Sequence, residues 1–125
     1  MHVLVIEDHE GMGETIETLV VAAGHTVTRA RNGQTGVALF NQHKFDLVIT
    51  DSLMPGQEGL ETIQQLLAIK PDLKIIAVWG SGHSQGMDFL PAARAFGAVA
   101  TLQKPFQPAE FLQLLRVHAT TGTER

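Results

Sequence analysis

The strongest constraint on this chain is a fivefold alternation. Apolar, mostly β-branched runs at 3–6, 45–51, 75–79 and 99–102, and a weaker, more polar run at 25–30, alternate with stretches of helical periodicity. Runs buried on both faces belong in a parallel sheet, and strand–helix alternation implies helices on both sides of it. The helical stretches are marked by Met12, Ile16, Leu19, Val20 and Ala23; by Gly36, Val37 and Phe40; by Leu60, Ile63 and Leu67; and by Phe111, Leu112 and Leu115. Gly24 ends the first, Asn32 can cap the second, and Lys70-Pro71-Asp72 stops the third. A short helix is also expected from Asp88, with Pro91 in its first turn and Gly97 closing it. Pro108 opens the last helix, and residues 120–125 form a polar tail after a domain at 1–119. The polar second run suits a sheet edge.

At 125 residues the chain matches one domain with one full core. An apolar content of 44% is ordinary for a globular protein and argues against disorder. The net charge is −4 and no Lys/Arg cluster occurs, which argues against direct nucleic-acid binding. The absence of cysteine excludes disulfides, thiolate metal sites and cysteine nucleophiles. No apolar run approaches membrane-spanning length, and no signal-like segment precedes the first strand, so the expected location is the cytoplasm.

The strand ends carry the chemistry. The first strand ends in Glu7 and Asp8, the third in Asp51, and Lys104 follows the fifth. In a parallel sheet these ends share one edge, where ligands of open α/β sheets bind. Crowded carboxylates repel and call for a cation. Oxygen ligands without cysteine favour Mg²⁺ or Mn²⁺ over zinc. A divalent ion beside a lysine can hold a phosphoryl group, and a neighbouring carboxylate can attack phosphorus. Each piece also has a plain structural explanation. Glu7-Asp8 suits the start of a helix, Asp51 a turn, and Lys104-Pro105 an ordinary loop. Their coincidence at the ends of the first, third and fifth strands favours function.

The chain resembles the receiver domains of two-component response regulators. The resemblance is carried by Leu4-Val5-Ile6-Glu7-Asp8-His9, by Asp46-Leu47-Val48-Ile49-Thr50-Asp51-Ser52-Leu53-Met54-Pro55-Gly56 with Gly59-Leu60, by Ile75-Ile76-Ala77 and Gly97-Ala98, and by Lys104-Pro105-Phe106. It spans about residues 2–118. It implies a flavodoxin-like α/β fold: one doubly wound, five-stranded parallel sheet of order 2-1-3-4-5. It further implies that Asp51 accepts a phosphoryl group from a sensor histidine kinase or a histidine phosphotransfer protein. Glu7, Asp8, Asp51 and the main-chain carbonyl of Leu53 would hold Mg²⁺, and Lys104 would pair with the phosphoryl oxygens. The domain would promote only its own phosphorylation and dephosphorylation, and would regulate a downstream effector or output domain. Apolar residues of the later helices would include a partner or homodimer surface.

Two positions depart from the family pattern. Trp79 stands at the usual Ser/Thr position, and Ser81 would supply the hydroxyl if the strand end is extended or bulged. Thr101 stands where the family has an aromatic three residues before the lysine. These departures support a rival expectation, a phosphorylation-independent binding module of the same fold. An aspartate-nucleophile phosphatase would need an acid where Leu53 stands. His9 is expected at the helix entry or in solvent, and His83 in a plain loop. His2, His25, His43 and His118 lack metal-ligand spacing.

Overall fold

Successive strand residues point to opposite sides of a sheet, and here both sides are apolar. The result is five strands and four helices among the described residues: β1 (His2–Ile6), α1 (Glu10–Ala22), β2 (Thr26–Ala30), α2 (Gly33–Gln42), β3 (Leu47–Asp51), α3 (Gln57–Ile69), β4 (Lys74–Gly80), β5 (Ala100–Lys104) and α4 (Pro108–Ala119). The computed structural model describes residues 1–51, 57–80 and 97–119, with all their side chains except those of 57–60, 79, 80, 104 and 119. The helix expected from Asp88, the loop with Ser81, Leu53 and the 120–125 tail lie outside these residues.

All pairings are parallel and the order is β2-β1-β3-β4-β5. This is the doubly wound α/β fold that the sequence implied. Val3, Val5, Leu47, Ile49, Ile76 and Val78 pack on one side with Ile16 and Val20 of α1 and Phe111 and Leu115 of α4. Leu4, Ile6, Val48, Ile75 and Ala77 pack on the other with Phe40 of α2 and Ile63 and Leu66 of α3. Burying each such large side chain contributes about 1.5–3 kcal/mol.

Several element limits differ from the sequence expectation. Phe45 lies outside β3, packed 4.5 Å from the His2 ring. The side chain of Asp46 accepts from the His2 main-chain N–H at 2.9 Å. His25 precedes β2, and Ala23 is the exposed C-cap of α1 rather than part of its buried face. Gly80, expected in a loop, is the last residue of β4, and Lys104 is the last residue of β5 rather than the residue after it. The pairing Gly80↔Lys104 accounts for both: the ladder continues past the apolar residues. Gly24 and Gly97 have φ of 99° and 122°, a conformation that suits glycine at a chain reversal.

Candidate functional site

The parallel sheet delivers the ends of β1 and β3 to one edge. Ile6 pairs with Thr50, so Glu7 and Asp8 follow β1 beside Asp51, the last residue of β3. One carboxylate oxygen from each of Glu7, Asp8 and Asp51 lies within 4.8 Å of the others. Asp51 is 2% exposed and Glu7 7%, whereas Asp8 is open to solvent. Glu7 Oε1 and Asp51 Oδ2 are closed off from water.

Local bonds hold this turn in place. The Glu7 N–H donates to the Ala30 carbonyl of β2 at 2.9 Å, and the His9 N–H donates to Glu7 Oε2 at 3.2 Å. His9 is the N-cap of α1, and its Nδ1 accepts from the Met12 N–H at 3.1 Å. Arg29 of β2 reaches over the same helix, with Glu10 at 2.8 Å and Glu17 at 3.4 Å. Sequence reasoning placed His9 at the helix entry or in solvent and gave it no partner. It missed the Arg29 pairs altogether, because the partners stand 19 and 12 residues away in sequence.

The donor set suits a hard divalent cation. Three carboxylates meet in a partly water-excluded pocket, where mutual repulsion is least screened, and oxygen donors fit Mg²⁺ or Mn²⁺. The two departures from the motif fall on β4 and β5. Trp79 comes one residue after Val78, the register partner of Asp51, and itself pairs with Gln103. The β4–β5 ladder runs unbroken from Ile76↔Ala100 to Gly80↔Lys104. Thr101 is half-buried opposite Ala77. The Trp79 and Lys104 side chains are outside the description, as are Ser81 and Leu53 entirely.

Comparison with known proteins assigns the family. The family model of the response regulator receiver domain matches residues 3–116. The chain belongs to the response regulator receiver domain family. Among its relatives, this receiver domain is 32% identical over 114 residues to the chemotaxis protein CheY of Thermotoga maritima, covering 90% of the chain and 92% of that protein. It is 42% identical over 108 residues to the transcriptional regulatory protein YrkP of Bacillus subtilis, covering 86% of the chain but 45% of that protein. It thus spans about half the length of several regulators that it matches. Among solved structures, a response regulator receiver domain protein from Clostridium thermocellum superposes with a TM-score of 0.82 at 26% identity, covering 94% of this chain and 92% of that one. No helix among the described residues of the receiver domain is long and apolar enough to cross a membrane.

Proposed function

We propose that this receiver domain is phosphorylated on Asp51 by the phosphohistidine of a sensor histidine kinase or a histidine phosphotransfer protein. The observation that carries the proposal is the meeting of Glu7, Asp8 and Asp51 oxygens within 4.8 Å. Glu7 and Asp8 hold Mg²⁺, which Mn²⁺ can replace, with Asp51 and the Leu53 carbonyl as further ligands. When bound, the ion offsets the acids' charge and stabilises charge on the phosphoryl oxygens. An Asp51 oxygen forms the new P–O bond while the P–N bond to the donor imidazole breaks, its electron pair staying on the ring nitrogen. Lys104 pairs with the phosphoryl oxygens, and a downstream effector or output domain responds. The domain itself extends over residues 1–119.

Incubation with acetyl phosphate and Mg²⁺ tests this by intact mass. One phosphoryl increment is expected on the wild type and none on Asp51→Asn. An unlabelled wild type, or a labelled Asp51→Asn, would overturn it.

A second reading is favoured by the unbroken β4–β5 ladder, which leaves Trp79 next in line after the register partner of Asp51. With Thr101 also departing from the family, the domain would bind its partner irrespective of phosphorylation. Partner binding and output that survive Asp51→Asn support this reading; their loss rejects it.

A further inference from the structure

We propose that His9 is a positioning residue for the acidic pocket: by capping α1 it fixes the main-chain N–H that holds Glu7, and so raises the affinity of the site for Mg²⁺. The inference rests on reading Glu7, Asp8 and Asp51 as cation ligands.

Three bonds meet at His9. Its carbonyl accepts from the Gly13 N–H at 2.9 Å, its Nδ1 accepts from the Met12 N–H at 3.1 Å, and its own N–H donates to Glu7 Oε2 at 3.2 Å. The first two bind His9 to the first turn of α1, and the third passes that order to the Glu7 carboxylate. A main-chain N–H can only donate, so Nδ1 is the acceptor and the ring proton sits on Nε2. The backbone angles, φ −91° and ψ 116°, are the extended ones an N-cap needs. Gly11 leaves room for the ring: a Cβ there would stand 3.3 Å from His9 Cε1.

The imidazole has a specific advantage here. Aspartate is among the strongest helix caps but would add a further negative charge beside three carboxylates. Neutral imidazole supplies the acceptor without that charge. Without the cap the first turn loosens, the His9 N–H loses its fixed direction, and Glu7 gains rotamer freedom that cation binding must remove. Groups standing behind a metal ligand act through such orientation.

Titration calorimetry with MgCl₂ on the folded chain tests the inference. The wild type is expected to bind, and His9→Ala to bind about tenfold more weakly, the lower end of the effect of removing a group behind a ligand. His9→Gly costs a helix start little stability but offers no acceptor, so it is expected to show the same roughly tenfold loss relative to the wild type, and it keeps the test readable if His9→Ala does not fold. His9→Asn restores a neutral cap acceptor and is expected to recover the affinity. Asn32→Ala, which removes the corresponding cap of α2, is expected to lower the urea midpoint while leaving Mg²⁺ affinity unchanged. Wild-type affinity in His9→Gly, no recovery in His9→Asn, or a matching loss in Asn32→Ala would overturn the positioning role alone. A wild type that takes up no Mg²⁺ would overturn the cation-site reading, and this inference with it.

Discussion

Gly36 of α2 lies against Ile6, the residue before Glu7: an added Cβ would stand 2.5 Å from Ile6 Cδ1 and 2.8 Å from Cγ1. Ile6 is buried in the core, so it has little room to yield. Gly36→Ala is therefore expected to destabilise the domain by about 1–3 kcal/mol, read from urea denaturation. His25 makes a different prediction. Its Nδ1 stands 3.1 Å from the Met1 ammonium nitrogen. Burial first, and that ammonium second, hold its pKa below the ordinary 6.5. The folded state thus prefers the neutral ring. Its contribution to stability is complete above 6.5 and is lost as pH falls through the lower folded value. Urea midpoints should decline on that acid side in the wild type and decline less in His25→Gln.

The elements differ in how openly their sequences declare them. β1, β3 and β4 carry dense Val, Leu and Ile, and strands buried on both faces leave that signature whatever their neighbours. The ends of β4 and β5 do not: Gly80, Gln103 and Lys104 have no strand-like composition, and only pairing between the two strands draws them in. The acidic trio was legible because parallel strands gather their ends at one edge. The role of His9 was not, because histidine is not among the residues that ordinarily cap helices. Arg29 was hidden because its partners belong to a different element. On α4, Phe111 is 1% exposed and stacks on Phe106 at a centroid distance of 5.6 Å. Phe111→Ala should cost about 3–5 kcal/mol, seen as a lower urea midpoint with an unchanged slope.

For the molecule as a whole, a cation that binds only the folded acidic pocket must stabilise the entire domain. With Mg²⁺ at ten times its dissociation constant the gain should be about 1.4 kcal/mol, reversed by EDTA and diminished in Asp8→Asn. Thermal unfolding with and without the ion measures it. The two-sided core has a further consequence. Neighbouring residues of β3 are committed to opposite compartments, Val48 to one and Ile49 to the other. The strand therefore has a reading frame, as a gene does. Losing a single residue from its middle would turn the retained half inside out and displace Asp51 from its acidic neighbours, while substitutions that keep the frame leave that meeting point where it is.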